Sequence, residues 1–317
     1  MHLKTVTLRN FRCFKELKLN LHPRLTVLVA ENGGGKSAVL DAIRMGLSLY
    51  IDTITDTQQK VKFSHTDIQV FQGNYTEQIT FEGDCEIAGQ SLHWSQALKS
   101  SSKSNRLTSK NTRSLTNAAK ALRDQVNNFH VNSGQPVPIL SLVVSYGTKR
   151  LWIDNLRKEK LRIKRSNNIR LEGYAGCLGS SASVSTIVGW YEARMKEMGS
   201  GQYSTETENY TKVIAGIETA MKVVLEPTGW CELEWDFSKK KLLVKHSVFG
   251  SLLLEQLSDG IRTMVVLTMD IARRCSMLNP QFGEDAAQKT PGLVLIDEVD
   301  MHLHPRWQQL VLLSLQN

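Results

Sequence analysis

The chain has 317 residues, is 41% apolar and carries a formal net charge of +8, so it can bury one large core or two smaller ones. No apolar run approaches the ~20 residues of a membrane span, and the N-terminus has no signal-peptide core. The five cysteines (Cys13, Cys85, Cys177, Cys231 and Cys275) lie far apart without a C-x-x-C, which argues for buried thiols in a reducing, cytosolic compartment rather than a disulfide or zinc framework.

In chain order, His2 to Leu8 and Lys15 to Leu21 alternate apolar and polar residues around a turn-like Asn-Phe-Arg-Cys-Phe, which predicts two strands. Leu25 to Ala30, LTVLVA, is short, apolar and rich in β-branched residues and predicts a buried strand. The stretch AENGGGKSAVLDAI, Ala30 to Ile43, then sets three glycines and Lys-Ser ahead of a helix packed through Ala38, Leu40, Ala42 and Ile43. Strand, glycine turn and helix N-terminus make an anion site, because successive N–H groups and the positive dipole end point into one small space. Glycines leave that backbone free of Cβ atoms. Lys36 can then reach β- and γ-phosphates, and Ser37 can offer its hydroxyl to Mg²⁺. The pattern is G-x-x-x-x-G-K-[ST] with Ala30 in place of the first glycine.

Farther on, QITFEGDCEI and SLHWSQAL predict an antiparallel hairpin, and PILSLVVSYG another buried strand. Lys99 to Arg123 carries seven basic residues and no acid, and its Ser/Thr/Asn content predicts a mobile loop leading into a short helix. Lys149 to Arg170 holds nine Lys or Arg against Asp154 and Glu159, which accounts for most of the net charge. Such concentrated charge suits phosphate backbones; a solvated face or the dock of an acidic protein gives the same pattern. Ser183 to Met198 and Asn209 to Leu225 have helical spacing, and CELEWDF with KLLVKHS predicts a β-pair around Ser-Lys-Lys-Lys. No internal repeat is present.

Two signals near the C-terminus change the weight of the first. Ser258-Asp259-Gly260 opens a helix with an apolar face of Met264, Val265, Leu267, Thr268 and Ile271; Ser258 reads as its N-cap and Asp259 suits the dipole. GLVLIDEVD, Gly292 to Asp300, is an apolar run ending in two carboxylates. As a buried parallel strand it would deliver Asp297 and Glu298 to the sheet edge, Asp297 toward Mg²⁺ and Glu298 toward the attacking water.

LRNFRCF at Leu8 to Phe14, AENGGGKS, QLSDG and LIDEVDMHLHP together resemble the SMC/RecF-like branch of the ABC-type ATPases. VVSYGTKRLW, DIARRCSMLNP and DEVDMHLHPRWQ are similar to the PtuA-type ATPases of Septu and certain retron antiphage systems. The resemblance implies that Arg9 or Arg12 flanks the ribose or the phosphates and that Asn32, Gly33, Gly34, Gly35, Lys36 and Ser37 cradle them. Asp297 and Ser37 would hold Mg²⁺, and Glu298 would be the catalytic base. Ser258, Asp259 and Gly260 would complete the ATP site of a second subunit, and His304 falls at the D-loop position. Gln72 and Gln69 compete for the Q-loop role, and His302 with His304 has metal-like spacing without a third ligand nearby. The family's switch histidine follows a further strand, and this chain stops at Asn317.

The expected fold is α/β: a P-loop ABC-type ATPase sheet with an antiparallel β lobe and an inserted helical lobe, its C-terminal strands missing. The expected divisions are 1–50 with the phosphate loop, 51–235 as the insert, and 236–317 with the LSDG and Asp-Glu motifs. The function this implies is an ATP-binding and hydrolysing subunit of an antiphage complex. Head-to-tail ATP-dependent dimers would gate a nuclease or toxin such as a PtuB-like HNH protein. Retron RNA/DNA and reverse transcriptase are further implied partners, with nucleic acid on the stretch 149–170. A RecF/SMC-like DNA repair ATPase, or the ATPase part of an OLD-type nuclease whose TOPRIM domain is absent, would share the motifs. The chain contains no nuclease constellation of its own.

Overall fold

The computed structural model describes residues 1–58, 61–100, 111–129, 134–148, 168–179, 184–199, 205–239, 241–301, 303 and 308. In chain order the elements are β1 (His2–Phe11), β2 (Phe14–Asn20), α1 (Lys36–Thr55), β3 (Val70–Phe71), β4 (Asn74–Tyr75), β5 (Gln78–Ile87) and β6 (Gln90–Lys99). They continue with α2 (Arg113–Asn127), β7 (Leu142–Tyr146), α3 (Val184–Gly199), α4 (Thr205–Leu225), β8 (Trp230–Asp236), β9 (Lys241–His246) and β10 (Gly250–Leu253). Last come α5 (Asp259–Leu278), α6 (Ala286–Lys289) and β11 (Gly292–Ile296). The chain forms two compact units: residues 1–145, 162–179 and 291–297 make the first, and residues 146–161, 180–290 and 298–317 the second.

The first unit is built on an antiparallel sheet in the order β2-β1-β5-β6. Strict alternation along β5 buries Ile79, Phe81, Cys85 and Ile87 on one face, as its period of two requires. Helix α1 lies against that face. A Cβ on Gly46 would stand 2.3 Å from the Phe81 ring, so only glycine allows this approach. Trp94 Nε1 and Gln96 Nε2 both donate to the Gly46 carbonyl, at 3.2 and 2.9 Å. The predicted strand pair and hairpin are therefore present, each with its predicted partner.

LTVLVA is not a strand. Leu25 to Ala30 has no regular structure, and Val27 and Val29 are 53% and 89% exposed. An apolar run becomes a buried strand only where neighbours pair its backbone, and no ladder among the described residues engages this one. The strand carrying Asp297, β11, pairs with β7 alone; β7 is buried throughout while β11 is largely open. Leu142 N donates to Pro291 O at 2.8 Å, which sets the N-terminal ends of β7 and β11 side by side.

The second unit packs α3, α4 and α5 against the sheet β10-β9-β8. Its core includes Tyr191, Ile217, Trp230, Val244, Val265 and Met269. Helix α5 is buried nearly all round rather than along one stripe, Ile271 being only half-buried. Gly216 of α4 sits where a Cβ would stand 2.6 Å from Ser276 Oγ of α5. Within this core Asp270, 1% exposed, accepts hydrogen bonds from Arg273 Nη2 at 2.7 Å, Arg274 Nε at 2.8 Å and the Tyr146 hydroxyl at 2.9 Å. Burial alone would raise the Asp270 pKa, but the two guanidinium groups outweigh it and hold the carboxyl well below the usual range.

The basic stretches look different in the fold. Residues 149–167 lie outside the described residues, and Arg170 at the end of that stretch is buried, donating to the Pro138 carbonyl at 2.5 Å. In the other stretch Arg123 ties α2 to the end of α1 through Asp56 and Thr53 O, both at 3.1 Å. Residues 101–110 are outside the described set. All five cysteines are free thiols; Cys85, Cys177 and Cys275 are buried as expected, Cys231 is half-buried and Cys13 is exposed. Cys13 escapes burial because it sits in the tight turn between β1 and β2.

Asp270→Ala strands two buried arginines and should cost about 3–5 kcal/mol of stability, read from the urea midpoint. The depressed pKa gives the pH sign. The contribution is fully present above the ordinary carboxylate pKa of about 4 and is lost only as the pH falls below it. The Asp270→Ala deficit should therefore stay constant from pH 6 to pH 8.

Candidate functional site

The glycine turn Gly33–Gly35 is shaped by what surrounds it. Gly33 and Gly35 have φ of 83° and 88°, a left-handed backbone that disfavours any Cβ. A Cβ on Gly35 would also stand 2.5 Å from the Phe14 ring and 2.8 Å from Cys13 Sγ. The turn before β2 thus packs directly beneath the loop. Gly34 explains the tolerance for Ala30: a Cβ there would come within 2.8 Å of the Ala30 methyl. One of the two positions can carry a side chain while the other is glycine.

Gly34 N donates to Glu31 O at 3.0 Å and closes the turn, and α1 starts at Lys36 with Gly35 as its left-handed N-cap. Gly35 has no side chain with which to cap this N-terminus, so its first N–H groups suit an acceptor from elsewhere. Lys36 Nζ folds back across the turn and donates to the carbonyls of Ala30 and Glu31 at 2.6 and 3.0 Å. Asn32 and Ser37 are exposed at the rim. The helix N-terminus and the Lys36 ammonium converge on this turn, an arrangement suited to a polyphosphate.

The two arginines separate. Arg9 bridges Glu16 at 3.1 Å and Glu82 at 3.0 Å along the sheet. Arg12 donates through Nη1 to Asp41 of α1 at 2.8 Å and through Nε to Asp67 at 2.9 Å, with its guanidinium over the Phe11 ring. It is Arg12, not Arg9, that touches the helix bearing the loop. Of the competing glutamines, Gln72 occupies the exposed tip of the β3–β4 hairpin with φ of 50°, whereas Gln69 N donates to Asn10 O at 2.9 Å beside the arginine turn.

Helix α1 packs against β11, whose end carries Asp297, half-buried in the first unit. Glu298 follows with φ of 47°, a costly backbone for a residue with a Cβ and one often found at functional positions. Met301 N donates to its carbonyl at 3.0 Å, closing a turn directly after the strand. In the second unit Ser258 holds the N-cap position of α5, yet its side chain makes no capping bond. Asp259 pairs with Arg262 at 2.5 Å and Gly260 is buried. The expected cap is thus made by backbone alone, which leaves the exposed Ser258 hydroxyl for another acceptor. His302 and His304 lie outside the described residues.

The AAA_23 family, described as an AAA domain, matches residues 5–218. This chain belongs to that AAA-domain family. The matched span holds the loop, the arginine turn and α1, and ends before Ser258. The chain is also similar to the retron Vc95 probable ATPase of Vibrio cholerae, 22% identical over all of this chain and 68% of that protein. A shorter match to the Septu protein PtuA of Bacillus mycoides is 45% identical, over 20% of this chain and 8% of that one. Among solved structures, an SMC head bound to the C-winged helix domain of ScpA aligns at 12% identity and a TM-score of 0.49, covering 95% of this chain and 92% of that one.

Sequence reading missed the carboxylates around Arg12. Asp41 is visible in AVLDAI only as a polar position on an apolar helix, and Asp67, far away in sequence, gives no local signal. Gly35→Ala should cost about 1–2 kcal/mol for the left-handed backbone, plus the displacement of Phe14. Gly33→Ala, with open space at its Cβ, should cost the backbone term alone. Urea melts of both variants check the difference.

Proposed function

We propose that the chain is an ATP-binding and hydrolysing subunit of an antiphage defence complex. The observation that carries the reading is the Gly33–Gly35 turn at the uncapped start of α1, with Lys36 folded over it. Membership of the AAA-domain family supports ATP as the ligand, and the similarity to a retron probable ATPase and to a Septu protein supports the defence setting.

In this reading backbone N–H groups from Asn32 to Ser37 bind the β- and γ-phosphates, and Lys36 exchanges its two carbonyl acceptors for phosphate oxygens. Ser37 and Asp297 are the residues that would hold Mg²⁺, whose charge helps neutralise the phosphates. Glu298 accepts the proton of the attacking water. Arg12 contributes positive charge from the floor of the site.

Ser258, Asp259 and Gly260 serve a second copy. The exposed Ser258 hydroxyl and the N-terminus of α5 offer donors to a γ-phosphate held by another chain, so ATP joins two copies head to tail. Nucleotide state then becomes a switch on assembly. A nuclease or toxin partner, with an HNH protein or retron nucleic acid as the leading candidates, would be held and released by that switch in the cytosol.

Two experiments test the reading. Lys36→Ala should weaken ATP binding by about a hundredfold, the loss of roughly 3 kcal/mol of charge-assisted bonding, with the melting temperature preserved. Glu298→Gln should keep ATP affinity and slow hydrolysis by about 10²–10⁴-fold. Unchanged affinity in Lys36→Ala would remove the phosphate-loop assignment. For assembly, Ser258→Arg should abolish ATP-dependent dimers in light scattering while the monomer binds ATP normally. A variant that dimerises like the parent would return Ser258 to a plain helix start.

A further inference from the structure

Arg12 is held in an unusually complete way for a surface turn. Its backbone is left-handed, with φ of 49°, and its N–H donates to the Asp67 carbonyl at 2.8 Å. A bridge between Phe11 and Ile68, and a bond from Gln69 N to Asn10 O, clamp the same turn from the main chain. Its side chain is fixed by two carboxylates on separate elements, Asp41 on α1 and Asp67 on the short turn 65–67.

The two carboxylates differ. Asp41 is shared with Arg44 Nη2 at 2.7 Å, and Arg44 in turn donates to the Leu178 carbonyl at 3.0 Å. Asp67 is nearly buried, its side chain 6% exposed, and its second oxygen accepts from Ser64 N and Ser64 Oγ at 2.9 and 2.8 Å. Asp67 therefore cannot swing, and it fixes the Nε edge of the guanidinium. Among the described residues the remaining nitrogen, Nη2, makes no hydrogen bond to protein.

Asp41 stands four residues after Ser37 and hence one helical turn below it on the same face of α1. A guanidinium bonded to Asp41 is thus within about one turn, ~5–6 Å along the axis, of the loop's metal-binding serine. Arg9, tied to Glu16 and Glu82 on the sheet, has no such neighbour.

We propose that Asp67 is a positioning residue for nucleotide binding: it acts through Arg12, locking the guanidinium against α1 so that Nη2 stays available to the phosphates at Gly33–Ser37. The inference rests on the phosphate-loop reading above. Asp67 itself touches no substrate. Its effect should be visible only while Arg12 is present.

The test is a double-mutant cycle on the full chain, with ATP affinity measured by calorimetry and thermal midpoints recorded alongside. Asp67→Asn keeps an oxygen for Ser64 N but loses the ion pair, and it should weaken ATP binding by about tenfold. Arg12→Ala should weaken it at least as much, and adding Asp67→Asn to Arg12→Ala should change affinity by less than twofold. Asp67→Glu should recover most of the loss. An equal tenfold loss from Asp67→Asn in both backgrounds would overturn the proposal, as would a lowered midpoint with ATP affinity unchanged. Lys36→Ala run in parallel separates the two levels. If it leaves affinity intact, the nucleotide site itself is wrong; if it abolishes binding while the cycle is additive, only the role of Asp67 fails.

Discussion

The close approach of α1 to the antiparallel sheet at Gly46 is the contact on which the first unit depends. With no Cβ at that position, the Phe81 ring fills the space a methyl would occupy, and the carbonyl takes donors from both Trp94 and Gln96. Those bonds bring the helix down onto a face where Phe11 meets Phe63 edge-on and Phe63, Phe81 and Trp94 follow at tilted angles. Once α1 is fixed there, its N-terminus must emerge beside the β1–β2 turn, which places Cys13 and Phe14 under Gly35 and Arg12 beside Asp41. The place of the glycine turn is a consequence of packing one side of a helix at its middle.

The second unit rests on a different device. Burying one aspartate among two arginines and a tyrosine hydroxyl contributes little net stability compared with apolar packing, because desolvation consumes most of the Coulomb attraction. Its effect is on register. Arg273 and Arg274 lie on α5 itself and follow Asp270 in any rotation, whereas the Tyr146 hydroxyl comes from β7 and reaches Asp270 only when that face of α5 is turned toward it. Helix α5 is buried almost all round, so hydrophobicity alone would not select that rotation.

Arg9 and Arg12 show how identical residue types in one short motif take separate roles. Both sit on or beside β1 and both pair with two carboxylates, but the carboxylates of Arg9 are sheet neighbours, one exposed and one half-buried, whereas those of Arg12 include a buried one and one on α1. Ion pairs at exposed sites are worth little. The buried partner instead fixes the Arg12 guanidinium against α1.

Local pattern determined a good deal. The alternation in QITFEGDCEI, the glycines before Lys36, and the helix start at Ser258 are short-range signals, and the elements they specify appear where they fall. LTVLVA carries an equally plain signal, yet it lies open, because a strand's burial depends on neighbours it does not encode. The contact of Arg12 with α1, its clamp by Asp67 and the facing of Asp270 toward Tyr146 were likewise decided by tertiary structure. The partners Asp67 and Tyr146 are remote in sequence, 55 residues from Arg12 and 124 from Asp270. Short-range pattern determines where the glycine turn and its helix form; how the arginine turn is held against that helix is set by long-range packing and buried charge.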